Sequence, residues 1–182
     1  MARGDLQISD PKVLRALAHP ARLAILEHLG TEGPATATEC SGPAGVSPAA
    51  ASYHLRLLER YGLVEDAGPG GTRDRPWRAV AGGFTIDDDG PAGLALLAQL
   101  VARGDRWTQD YLAGEKRLPR TWRDASHVAN KTLLMSPAEA RELMERIESL
   151  CDGYRRSRDD APEDAENVKA FIRVFPARVR KR

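Results

Sequence analysis

The chain predicts a mainly α-helical protein with a small β component, an α+β fold, and three observations carry that expectation. Capping residues stand before proline or three positions before glutamate at Asp10-Pro11, Thr36…Glu39, Ser47-Pro48 and Ser136-Pro137-Ala138-Glu139, and each pattern is a helix start. Apolar residues at helical spacing follow most of these starts. Two short runs, Leu63-Val64-Glu65 and Trp77-Arg78-Ala79-Val80, flank a Gly/Pro-rich stretch and read as one hairpin with a long loop.

Taken in order, Val13, Leu14, Leu17 and Ala18 share one face after Asp10-Pro11. His19-Pro20 restarts the chain, because proline disfavours helix in the residue before it. Leu23, Leu26 and Leu29, with Ile25 beside them, form the next stripe, which ends at Gly30. A loop over Thr31–Pro34 leads to a short helix from Thr36 to Ser41, with Cys40 at an apolar position. Gly42-Pro43-Ala44-Gly45 reads as a tight turn. From Ser47 a helix runs to about Tyr61, roughly 20 Å at 1.5 Å per residue, and Gly62 ends it. Its buried stripe is Ala51, Leu55 and Leu58; Ala49, Ala50, Ser52, Tyr53, Arg56 and Arg60 fall on the other face. The hairpin tip, Gly68 to Arg75, carries Arg73 and Arg75.

Gly82 to Gly90, with the Asp87-Asp88-Asp89 run, reads as a solvated linker. A helix over Pro91–Lys116 follows, with Leu94, Leu97, Ala98, Leu100 and Val101 as contact residues and Trp107 and Tyr111 four apart. Past Pro119 the chain reads as irregular through Trp122 and His127, with Lys131–Met135 a short apolar strand. The helix from Ser136 is amphipathic through Leu143, Ile147 and Leu150. Ser157–Glu166 reads as a charged loop, Val168–Phe175 as a strand and Arg178–Arg182 as a basic tail. The expected organisation is two regions, residues 10–81 and residues 91–182.

Composition narrows the function classes. The chain has 182 residues, 42% hydrophobic and 29% charged, as in an ordinary globular protein. Lys+Arg is 27 and Asp+Glu 26, so any surface that attracts polyanions is local. Two cysteines, Cys40 and Cys151, can build neither a disulfide framework nor a four-cysteine zinc site. The start, MARGDLQISD, has no apolar signal core and no run approaches a membrane span, so a cytoplasmic protein without a membrane partner is expected. No Gly-rich phosphate loop, Gly-x-Ser-x-Gly elbow or zinc-hydrolase His motif occurs, and the three aspartates have no evident partners for Mg²⁺. Neither an enzyme nor a cofactor is expected.

Helix, tight turn, helix and hairpin form the winged helix-turn-helix plan. Its second helix must fit the major groove, be held from behind by apolar residues and present small or hydrogen-bonding groups outward. Ser47 to Arg60 meets these conditions. Ala49 and Ala50 allow close approach, and Ser47 with the amides behind it can hold a phosphate. Ser52, Tyr53, Arg56 and Arg60 lie further along, and Arg73 and Arg75 of the hairpin can reach the neighbouring backbone. His54 has two open readings, a DNA contact or a hydrogen-bonded structural histidine.

LRALAHPARLAILEHL followed by VSPAAASYHLRLLERYGLVE resembles the ArsR family of winged-helix transcriptional repressors, over roughly Asp10 to Ala81. The specific parts are Pro20-Ala21-Arg22 and the run through Ser47, Ser52-Tyr53-His54-Leu55, Leu58 and Gly62-Leu63-Val64. The resemblance implies a repressor that binds double-stranded DNA as a homodimer. Metal sensors of that family carry a Cys-x-Cys pair where this chain has Thr36 and Thr38, and its four histidines, His19, His28, His54 and His127, show no carboxylate pairing. No metal site is therefore expected. The remaining effector reading is a small organic molecule in an apolar pocket lined by Trp107, Tyr111, Trp122 and Phe171, against the alternative that Trp107 and Tyr111 belong to a dimer core. The second half resembles C-terminal extensions of larger regulators, a resemblance that carries no function with it; dimerisation is expected there from the apolar stripe of the Pro91–Lys116 helix. Two competing functions stay open: a winged helix that contacts only proteins, and a small enzyme.

Overall fold

Each cap that the sequence offers is used, and the caps set the order of elements in the computed structural model, which describes residues 4–68, 75–156 and 160–177. The Asp10 carboxylate accepts the Lys12 amide at 2.7 Å and starts α1, Pro11–Leu17. His19 Nδ1 accepts the Ala21 amide at 3.2 Å and starts α2, Pro20–Thr31. Thr36 and Glu39 form a reciprocal capping box at the head of α3, Ala37–Ala44. Ser47 Oγ accepts the Ala50 amide at 3.2 Å and starts α4, Pro48–Arg60.

The chain divides into two compact units, Met1–Arg103 with Arg156–Ala165, and Gly104–Arg155 with Glu166–Arg182. In the first, β1 (Asp5–Ile8) precedes α1. After α4 come β2 (Val64–Asp66), β3 (Trp77–Ala79), β4 (Gly83–Ile86) and the first half of α5 (Pro91–Gly114). β2 and β3 pair antiparallel with Val64 opposite Ala79 and Asp66 opposite Trp77. Ala35 exchanges both backbone hydrogen bonds with Trp77, at 2.9 and 2.8 Å, and adds a one-residue bridge on the other edge of β3. The core holds Leu14, Leu17, Ile25, Cys40, Leu55, Leu58, Val64 and Leu96, all fully buried. This is the winged helix-turn-helix form of an α+β fold.

Several sequence expectations are corrected. Residues 82–90 are not merely a linker, because Gly83–Ile86 pairs in parallel with Asp5–Ile8, Leu6 opposite Phe84 and Ile8 opposite Ile86. These side chains pack on the core, so burial of two alternating pairs drives the ladder. Within the aspartate run, Asp87 accepts the Gln7 amide group at 3.0 Å, and Asp88 accepts the Gly90 and Gly93 amides at 3.1 and 2.8 Å. The turn expected over 42–45 begins later. Pro43 falls in the last turn of α3, where it cannot donate to the carbonyl four residues back and so helps to end the helix, and the chain reverses at Gly45 with φ +64.

In the second unit α5 continues to Gly114 and leads through a 3₁₀ turn, Glu115–Arg117, to α6 (Arg120–Ala125) and α7 (Pro137–Asp152). A helix thus stands where the sequence reads as irregular around Trp122. Ser136 and Glu139 form the expected capping box of α7. Lys131–Met135 and Val168–Phe175 carry no strand, since no described neighbour offers either a ladder. Gly104 is the only buried residue among those described in this unit, and Leu133, Leu134 and Leu150 are exposed. No helix among the described residues is long and apolar enough to cross a membrane.

Candidate nucleic-acid interface

The interface is built by seating α4 on α2 and α3. The αL turn at Gly45 is closed by Gly45 N–H to the Gly42 carbonyl at 3.0 Å and Val46 N–H to the Ser41 carbonyl at 3.1 Å. Only Gly45, Val46 and Ser47 separate the two helices, and this short link fixes their angle. From behind, Cys40 of α3 and Ala51, Leu55 and Leu58 of α4 are fully buried. Burial raises the Cys40 thiol to about 11, so it stays protonated and packs as a small apolar group.

The opposite face of α4 is open. Ala49, Tyr53, Arg56 and Arg60 are exposed at i, i+4, i+7 and i+11, a single stripe along the helix. Tyr53 is 64% exposed. Ser47 and Pro48 are exposed at the helix start, while Ala50 and Ser52 are half-buried at the rim of the stripe. Arg56 and Arg60 are in no ion pair among the described residues. Glu59 is the only carboxylate of α4, and Arg75 holds it at 2.7 Å.

Two residues expected to contact DNA have partners within the protein. Arg75 lies over the Trp77 ring at 4.4 Å, and its Nε comes within 2.8 Å of Asp66, so its guanidinium joins the wing base to the end of α4. His54 turns inward and is buried, with its ring centroid 4.7 Å from that of His19. Of the two readings open for His54, a DNA contact and a hydrogen-bonded structural histidine, its burial favours the second, but its Nδ1 has no hydrogen-bond partner among the described residues. Burial, then the neighbouring His19 and Arg22, hold the His54 imidazole below its ordinary range. Arg73 lies outside the described residues. Arg78 pairs across the wing with Glu65 at 2.7 Å, on the strand opposite.

Sequence reading missed both long-range pairs, Arg75–Glu59 and His19–His54. Neither has a local signature, since their members stand 16 and 35 positions apart; only the hairpin and the α2–α4 packing bring them together.

Two further surfaces bear on function. In the first unit, α5 buries Ala92 and Leu96 but leaves Leu94, Leu97 and Val101 exposed at i, i+3 and i+7. Arg103 ties this stretch back through the Glu27 carboxylate and the Pro20 carbonyl. In the second unit Phe171 stacks on Trp107 at 5.3 Å and covers Gly104, where a Cβ would meet its ring at 2.8 Å. Lys169 lies 4.8 Å over the same indole. Trp107 and Phe171 thus fill each other's space, and Tyr111 and Trp122 are half-buried. Two open clefts are lined instead by Ile86–Asp89 and by Glu145, Arg146, Ser149 and Leu150. Among the described residues no group of three His, Cys, Asp or Glu side chains is placed to hold a metal ion.

A helix-turn-helix domain family matches residues 17–67. No curated protein matches the chain. Among solved structures, the homodimeric winged helix-turn-helix DNA-binding domain of a possible ArsR-family regulator from Mycobacterium bovis is 26% identical, over 58% of this chain and 84% of that one, with a TM-score of 0.34. A MarR-family regulator from Neisseria meningitidis is 20% identical, over 74% and 79%, with a TM-score of 0.34. A transcriptional regulator from Thermotoga maritima is 14% identical, over 79% and 83%, with a TM-score of 0.31.

Proposed function

We propose that this protein is a sequence-specific, non-enzymatic DNA-binding transcriptional regulator, a repressor of the ArsR type, that works as a homodimer in the cytoplasm. The observation that carries the reading is the α4 stripe: Ala49, Tyr53, Arg56 and Arg60 stand clear on one face of a helix-turn-helix whose other face is packed in the core. In the major groove, Ala49 and Ala50 permit close approach, Ser47 and Ser52 offer hydroxyls and Tyr53 reaches base edges. Arg56 and Arg60 meet phosphates. Arg75 acts indirectly, by cancelling the one negative charge on the helix.

One recognition helix covers too few base pairs for a specific site, so two act together. The exposed Leu94, Leu97 and Val101 stripe of α5 supports dimerisation through that helix, because an apolar row beside a buried one needs its own cover. The operator is then an inverted repeat with half-sites about 10 bp apart or a multiple of that. Selection of bound fragments from genomic DNA tests both statements at once. Enrichment of a two-fold-symmetric site supports the reading; enrichment of no sequence, with binding to a protein partner instead, replaces it with the protein-contact alternative.

A further inference from the structure

Directly beneath the reading face lies a pair of histidines that the DNA-binding reading leaves without a task. His54 is next to Tyr53 in α4 but points inward, 8% exposed, with a partnerless Nδ1. Its ring meets Tyr53 edge-on, centroids 5.5 Å apart at 64°. On its other side stands His19, the cap of α2, at 4.7 Å and tilted by 45°. His19 Nδ1 accepts the Ala21 amide, which fixes the neutral ring with its proton on Nε2. The pair therefore links the first turn of α2 to Tyr53, an exposed residue of the outward stripe of α4.

The surroundings favour neutral rings. Arg22 of α2, anchored by its Nε to the Ala16 carbonyl, is the cation beside both imidazoles. Tyr53 of α4 and Tyr61 at the end of that helix are the other titratable neighbours, through Arg22. Among the described residues no carboxylate acts on either ring. Burial first, then Arg22, holds His19 below its ordinary range, and burial, His19 and Arg22 do the same for His54. A proton on either ring thus places a cation against a second base and against Arg22, with no counter-charge.

We propose that the His19–His54 pair is a positioning element for Tyr53 that makes DNA binding proton-sensitive: neutral, it locks α2 to α4; protonated, it loosens that contact and the reading face with it. The sign follows from linkage. The unfolded chain takes up these protons near the ordinary histidine value of about 6.5, and the folded chain only at lower pH. The stability the pair supplies is complete above about pH 6.5 and is lost as pH falls below it. Histidines beside phosphate act in the opposite sense, because acid strengthens their binding. The direction of the effect separates the two.

The proposal rests on the DNA-binding reading, and the test has one arm for each. Affinity for a selected duplex is measured from pH 7.5 to about 5.5 at fixed ionic strength, for the parent, for His54→Phe and for His19→Asn, which keeps a capping acceptor. In parallel, the Tyr53 ring and the His54 imidazole are followed by NMR over the same range without DNA. The expected result is at least a tenfold loss of affinity in the parent on acidification, a nearly flat profile in both variants and a Tyr53 shift that tracks His54 protonation. Binding at pH 7.5 that holds or tightens at pH 5.5 overturns the histidine proposal and leaves the DNA-binding reading intact. No duplex bound at any pH, with the coupled Tyr53 shift present, overturns the function and leaves the histidine linkage standing.

Discussion

Arg75 reaches Glu59 from the far side of the wing, 2.7 Å from Nη2 to Oε1, while its guanidinium lies over Trp77. An arginine placed by sequence at the DNA is thus held against a carboxylate of the recognition helix. Both side chains are about two-fifths exposed, so the pair adds little to stability. In the proposed binding mode its consequence is electrostatic, since an uncovered Glu59 would put a negative charge beside Arg56 and Arg60.

Arg75→Ala is therefore expected to weaken DNA binding several-fold, roughly 1 kcal/mol, with little change in unfolding midpoint. Glu59→Gln in the same chain should restore most of the loss. A double-mutant cycle of dissociation constants checks this; a direct phosphate contact by Arg75 would leave the loss unrescued.

The helix-turn-helix was legible because its signals are local. The Thr36…Glu39 box, the Ser47-Pro48 start and the Leu55/Leu58 stripe each need one helix only, and each stands as read. What was missed depends on partners distant in sequence. β1 and β4 are parallel strands separated by all four helices of the first unit's helix-turn-helix region, with no turn between them to signal a hairpin, and they become strands only because they pair with each other. The strand expected at Val168–Phe175 fails for the same reason, as β propensity without a ladder gives extended chain. The inward turn of His54 was legible, since it stands three residues after Ala51 and four before Leu58 and completes the buried i, i+3, i+4, i+7 set with Leu55; the partner that α2 places against it, His19, was not.

The α5 stripe is exposed, so charge placed there should act on assembly and not on folding. Leu97→Glu with Val101→Glu is expected to shift sedimentation at micromolar concentration from dimer to monomer, and to weaken operator binding by tenfold or more. The unfolding midpoint of the first unit should move little, as exposed substitutions usually change stability by under about 0.5 kcal/mol. A dimer that persists in this variant places the interface elsewhere.

Leu55 is fully buried at the centre of the α4 contact, so Leu55→Ala should cost about 2–5 kcal/mol in denaturant unfolding. Ser47→Ala removes a cap and should cost about 1 kcal/mol, with affinity for all duplexes lowered together. A Ser47→Ala chain that binds one sequence class less well and others unchanged would assign Ser47 to base reading.

Cys40 is buried with its thiol raised to about 11, whereas Cys151 is exposed. In the native protein a thiol reagent should titrate one cysteine quickly, and the second only on unfolding. Zinc and arsenite at micromolar levels should leave the protein–DNA complex intact. Two rapid thiols, or release of DNA by either metal, would point to a site that involves Cys40.

The central claim is that the outward stripe of α4 holds DNA through Arg56 and Arg60. The most direct measurement is the salt dependence of duplex affinity, from about 50 to 200 mM, in the parent and in Arg56→Ala/Arg60→Ala. The account predicts a steep linear fall in log affinity for the parent, and a slope smaller by about four for the double variant, two contacts from each protomer of the dimer, across all sequences. An unchanged slope in a variant that remains folded, or no duplex binding by the parent at 50 mM, would contradict it.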